Sequence, residues 1–113
     1  MSRQAAGLWA WFLQRITGAY IALFVVYLTG VFLFAAPADY AAWSGWVAAP
    51  WVTVTGMLFF LAVLLHAWIG VRDILIDYVH PTGLRLGALT GVALVLLGCG
   101  VWVTKILLLT VHS

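Results

Sequence analysis

The segment from Phe59 to Tyr78 holds the residues best suited to chemistry: His66, Arg72, Asp73, Asp77 and Tyr78. If it is helical, at 100° per residue, Phe59, Ala62, His66, Gly70, Asp73 and Asp77 fall within about 40° of one line. One face then bears an imidazole, two carboxylates and a small residue one turn to either side of the imidazole. The rest is Leu, Val, Ile and Trp, suited to lipid or close packing. A neutral imidazole is a good ligand for iron. Ala62 and Gly70 clear space for a flat macrocycle, so His66 reads as an axial ligand of haem iron. The plainer alternative is a histidine hydrogen-bonded to a neighbouring helix, since an ionisable residue at membrane depth needs a partner. Both readings stand at this point.

A six-coordinate haem would need a second axial ligand. His80 precedes Pro81 in a turn, and His112 is next to last in the chain, on the far side. Neither reaches His66, so the other ligand must come from another chain. Asp73 and Asp77 fall at the C-terminal end of their helix, where the macrodipole disfavours anions by about 0.3–1 kcal/mol. Pairing with Arg72 and Arg85 would compensate, giving an ordinary solvated ion-pair turn. The functional alternative is a quinone site, where a donor hydroxyl and a carboxylate meet cytoplasmic water. Tyr78 would donate to a quinone carbonyl, Asp77 would position it or relay protons, and Arg72 would support the haem or quinone site. Arg15 is either a basic anchor at the membrane surface or the group that grips a haem propionate.

The elements that must position these residues are long and apolar. The chain has 113 residues, 66% hydrophobic and only 7% charged, with mean hydropathy +1.17. A soluble domain carries about a quarter charged residues. The five basic residues are widely spaced and form no patch for nucleic acid. Apolar runs over about 16–36, 51–76 and 84–111 each meet the roughly 20 residues that a helix needs to cross about 30 Å of hydrocarbon. They are too long and unbroken for barrel strands. The expected fold is an all-α membrane protein of three transmembrane helices, a single membrane-anchor domain over 1–113 that forms part of a heteromeric helical bundle.

Small residues around Phe34–Ala38 faintly resemble a cleavage site, but the first run is longer than the 7–15 residues usual for a signal core. We therefore expect it to be retained. Arg3, Arg15, Arg72 and Arg85 share one side of a three-span chain, with only Lys105 towards the other. The positive-inside rule puts the N-terminus in the cytoplasm of a bacterial inner membrane, or the mitochondrial equivalent. Aromatic residues suggest amphipathic interfacial segments over about 7–14 and 38–49. Gly83, Gly87 and Gly91, spaced by four, suit close helix packing. Cys99, alone between two glycines, reads as a small packing residue.

The run His66-Ala67-Trp68-Ile69-Gly70-Val71-Arg72-Asp73-Ile74-Leu75-Ile76-Asp77-Tyr78-Val79 resembles the signature of the succinate dehydrogenase hydrophobic membrane anchor family. That family repeats a His, a Gly four residues on and an Asp-Tyr pair eleven residues after the His. Arg15-Ile16-Thr17-Gly18 is similar to the start of its first helix, and the resemblance covers nearly the whole chain. It implies a second anchor subunit, a cytochrome b chain, that supplies the other axial histidine to a shared haem b. It also implies an iron–sulfur subunit and an FAD-bearing flavoprotein that oxidises succinate in the tricarboxylic acid cycle, passing electrons through iron–sulfur clusters to quinone. By position, His66 matches the family's haem ligand, Arg15 its propionate contact, Tyr78 its quinone-binding tyrosine and Asp77 the acid beside it. The rivals are an anchor of a quinol:fumarate reductase, a non-catalytic membrane scaffold or assembly protein, and a homodimer with two copies of His66 sharing one haem.

Overall fold

The computed structural model describes residues 3–112 of the chain, with side chains over 7–110. The side chains of Arg3 and His112 therefore lie outside the described residues. Four helices follow in order: α1 (Arg3–Phe34), α2 (Tyr40–Ala48), α3 (Pro50–Tyr78) and α4 (Thr82–His112). Three of them contain apolar spans of 28, 29 and 29 residues, Gly7–Phe34, Pro50–Tyr78 and Thr82–Thr110. At 1.5 Å per residue each measures roughly 40 Å, more than the hydrocarbon core, so their ends reach headgroup depth or the helices tilt. Each helix therefore starts earlier than the apolar run read from the sequence. The segment over 7–14 forms the first turns of α1 and is not a separate element.

Local chemistry sets the breaks. Asp39 caps α2, its Oδ1 accepting from the Ala42 N–H at 2.8 Å. Pro50 opens α3 at a position where its missing N–H costs nothing, and it holds Ala49 in extended backbone between α2 and α3. At the other end of α3, Arg85 reaches back from α4. Its guanidinium donates to the carbonyls of Val79 at 2.9 Å and Ile76 at 3.1 Å. A cation is thus placed at the negative end of the α3 dipole. The sequence offered Arg85 as a partner for an aspartate, but it caps backbone instead.

α3 is the middle helix. It packs against α1 on one side and α4 on the other, while the α1 and α4 backbones do not approach closely among the described residues. α2 lies across the ends of α3 and α4, with Trp46 edge-on to Phe32 of α1. The α1–α3 seam is an antiparallel ladder. Gln14 faces Gly70, Thr17 meets His66, Phe24 stacks on Phe59 with centroids 4.6 Å apart, and Tyr27 stands edge-on to Trp51. Tyr20 adds a hydrogen bond to the Thr55 carbonyl at 2.7 Å. Between helices in lipid there is no hydrophobic drive to associate, so such packing and hydrogen bonds carry the contact. Each ring pair contributes about 0.5–1.5 kcal/mol.

In the α3–α4 seam Gly100 is closely packed: an added Cβ would stand 3.0 Å from Leu64 Cδ1. Gly83, Gly87 and Gly91 have nothing within 4 Å of an added Cβ, and Cys99 is exposed. The packing expected of these residues is therefore not made inside the chain, because α4 turns Gly100 toward α3 and the other glycines outward. Only Val47, Val52, Ala62 and Ile69 are buried apolar residues among those described. Large side chains such as Leu23, Val26, Leu97 and Val101 stand exposed along the outer faces. That surface suits lipid or other helices.

Candidate functional site

α1 carries Gln14, Thr17, Gly18, Ile21 and Phe24 at helical spacing, an interrupted face in an otherwise apolar run. The Thr17 hydroxyl folds back onto its own helix, 2.7 Å from the Leu13 carbonyl and 3.3 Å from that of Gln14. Such back-bonding is how a threonine satisfies itself in an apolar helix. Thr17 is only 5% exposed. Its Oγ1 also lies 3.1 Å from His66 Nδ1. Gly18 faces the same ring, and a β-carbon there would come within 3.3 Å of His66 Cε1.

From this contact a cleft of about 610 Å³ opens between the N-terminal half of α1 and the C-terminal half of α3. This is within the roughly 300–1,000 Å³ of small-molecule and cofactor sites. Trp11, Gln14, Arg15, His66, Arg72 and Asp73 line it, together with small residues. A slightly larger groove of about 630 Å³ between α3 and α4 holds no titratable group at all. A third, of about 270 Å³ beneath α2, is walled by rings and aliphatic chains. The capacity for chemistry thus lies between α1 and α3.

Two polar atoms there are buried without a partner among the described residues: Gln14 Oε1 and Arg72 Nε. A buried donor or acceptor left unsatisfied costs about 1–3 kcal/mol, so the cleft offers one acceptor and one donor for a polar partner. The terminal nitrogen Nη2 of Arg72 contacts Asp73 Oδ1 at 3.3 Å, with both side chains substantially exposed. At a solvated surface such a pair contributes little, and the Arg72 guanidinium keeps donors to spare. Arg15 is exposed, with its guanidinium carbon 5.5 Å from the centre of the Trp11 ring, within the range of a cation–π contact.

The geometry gathers His66, Asp73, Arg72 and Arg15 at one cleft and leaves Asp77 and Tyr78 outside it. Tyr78 is 78% exposed at the last position of α3, and its hydroxyl has no partner among the described residues. Asp77 is exposed beside it. The stripe read from the sequence thus divides. Phe59, Ala62, His66, Gly70 and Asp73 look toward α1 and its cleft, while the acid–phenol pair stands at the membrane-surface end. No cluster of three or more His, Cys, Asp or Glu side chains able to hold a bare ion exists among the described residues. Ligation by this chain would be through a single imidazole. His80 sits exposed in the α3–α4 turn.

Sequence reasoning missed the parts that α1 contributes. Gln14 was not singled out, Thr17 and Gly18 stood only as part of a motif, and Trp11 only as an interfacial anchor. The available signal was their spacing: polar or glycine residues at intervals of three and four in the first span.

This arrangement has relatives. The family described as succinate dehydrogenase/fumarate reductase transmembrane subunit matches residues 1–99. A succinate dehydrogenase hydrophobic membrane anchor subunit from Coxiella burnetii (strain RSA 493 / Nine Mile phase I) is 32% identical over 97 residues, covering 86% of this chain and 84% of the relative. A His-bearing middle helix in a three-span, all-helical membrane chain is thus accompanied by similarity along most of its length. The chain belongs to the succinate dehydrogenase/fumarate reductase transmembrane subunit family.

Proposed function

We propose that this chain is the smaller membrane anchor of a succinate:quinone oxidoreductase, and that its α1–α3 cleft is one wall of a haem b site shared with a second anchor subunit. The observation that carries the reading is the imidazole of His66, fixed against Thr17 and Gly18 at the edge of a cleft with an unsatisfied arginine nitrogen. A planar dianionic macrocycle with carboxylate arms matches that chemistry: one nitrogen ligand, a flat glycine-floored approach and cationic donors. When bound, the haem supplies a one-electron centre within the membrane. His66 would ligate its iron, and Arg15 and Arg72 would hold the propionates through charge-assisted hydrogen bonds. A second histidine, if the haem takes one, would come from the partner anchor.

The exposed end of α3 takes the second role. Tyr78 donates a hydrogen bond to a quinone carbonyl, and Asp77, in contact with water, carries protons to the reduced oxygen. Arg85 keeps the last turn of α3 wound, which holds both side chains at the surface where a soluble iron–sulfur subunit would dock. The N-terminus and the α3–α4 turn face the cytoplasm of a bacterial inner membrane, because Arg15, Arg72 and Arg85 gather at that end. The flavin and iron–sulfur clusters reside in the soluble partner subunits, and the direction of reaction is succinate oxidation. The chain has no reaction of its own apart from that complex.

Mild-detergent purification through a tag on this chain tests the reading. Expected are a flavoprotein, an iron–sulfur protein and a second small membrane chain, a b-type band in the reduced-minus-oxidised spectrum, and succinate-driven quinone reduction faster than quinol-driven fumarate reduction. Absence of both the band and the flavoprotein would return the chain to the scaffold class. Predominant fumarate reduction would reverse the assigned direction.

A further inference from the structure

We infer that Thr17 is a positioning residue for His66: its hydroxyl oxygen accepts the Nδ1–H proton, which fixes the imidazole tautomer and leaves Nε2 as the nitrogen with a free lone pair. This rests on the haem reading above and extends it to a residue that touches neither iron nor substrate. A threonine hydroxyl has one proton to give. At 2.7 Å the Leu13 carbonyl is its nearest acceptor, so the remaining capacity of Oγ1 is as an acceptor. The His66 nitrogen 3.1 Å away must then be the protonated one if a bond is to form. Thr17 is buried, so water does not compete, and its β-branched side chain has few rotamers to choose from. Nε2 has no hydrogen-bond partner among the described residues. Gly18 completes the seat, since a side chain there would press on the ring edge that lies between the two nitrogens.

Metal-bound histidines generally donate their other ring N–H to an acceptor, which orients the ring and makes it a stronger electron donor. A stronger donor favours the oxidised metal and lowers its potential. The plain alternative is that the same pair only fastens α1 to α3, as hydroxyl–imidazole bonds do between membrane helices. The two differ in what the haem reports.

The test is Thr17→Val, which keeps the shape and removes the hydroxyl, beside Thr17→Ser, which keeps the hydroxyl. Both are made in the whole complex. Thr17→Val is expected to raise the haem midpoint potential and to weaken haem retention roughly 10- to 100-fold, measured by transfer to apomyoglobin. Thr17→Ser is expected to restore both. An unchanged potential in Thr17→Val, or equal impairment in the two variants, overturns the inference. Should Thr17→Val fail to assemble, pulsed EPR of the remote imidazole nitrogen in the wild-type complex decides. A hydrogen-bonded Nδ1–H supports the assignment, and an unbonded nitrogen refutes it. A wild-type complex without haem b would overturn the haem reading itself, which the spectrum alone reveals.

Discussion

Gly18 and His66 stand so close that a β-carbon at position 18 would come within 3.3 Å of the imidazole Cε1. One methyl group can be absorbed by a shift of a few tenths of an ångström, whereas a branched side chain cannot. Gly18→Ala is therefore expected to leave assembly intact and to perturb the haem spectrum only slightly. Gly18→Leu should push the ring off Thr17 and cut haem content per flavin by more than half, measured as pyridine haemochrome. Full haem content in Gly18→Leu would show that the ring has room to spare.

His66→Ala removes the one imidazole among the described residues that line the cleft. The expected result is loss of the b-type band or conversion of the haem to a high-spin spectrum, while succinate oxidation by a soluble dye continues. An unaltered low-spin spectrum would take His66 out of the ligand role.

Tyr78→Phe deletes one exposed hydroxyl and nothing that packs. Loss of a single hydrogen bond of about 1–1.5 kcal/mol corresponds to a roughly 5- to 13-fold drop in quinone reduction, with dye reduction preserved. Equal loss of both activities would assign the tyrosine to assembly.

Arg85→Met removes two hydrogen bonds to the terminal carbonyls of α3. The expected cost is about 1–3 kcal/mol, seen as a lower melting temperature of the detergent-solubilised complex. Lys105→Met, at an exposed position on α4, serves as the control and should change little. Identical melting curves for the two variants would argue that the α3 end is held by something else.

Much of the architecture was legible in the residues because lipid imposes simple rules. Apolar length fixed the three spans, although each helix starts before the run read for it. The 3.6-residue period of α3 placed His66, Gly70 and Asp73 on one face, and that face does look toward α1. What the period could not supply was the register between helices. Whether Thr17 or Tyr20 would meet His66 depends on how far α1 slides along α3, which Phe24–Phe59 stacking decides, and no pattern within either segment states it. The same limit explains Asp77. The sequence placed it at the C-terminal end of its helix, as found, but the helical wheel that aligned it with His66 could not say that the cleft stops short of it at Asp73. Arg85 illustrates a third gap: charge suggested a carboxylate partner, while the chain used it on bare carbonyls.

The Gln14–Gly70 and Thr17–His66 contacts lie toward one end of the α1–α3 ladder, and the Phe24–Phe59 and Tyr27–Trp51 ring pairs, with the Tyr20–Thr55 hydrogen bond among them, toward the other. Contacts at both ends hold the same register, so a substitution that slides α1 against Phe59 would also carry Thr17 away from the imidazole.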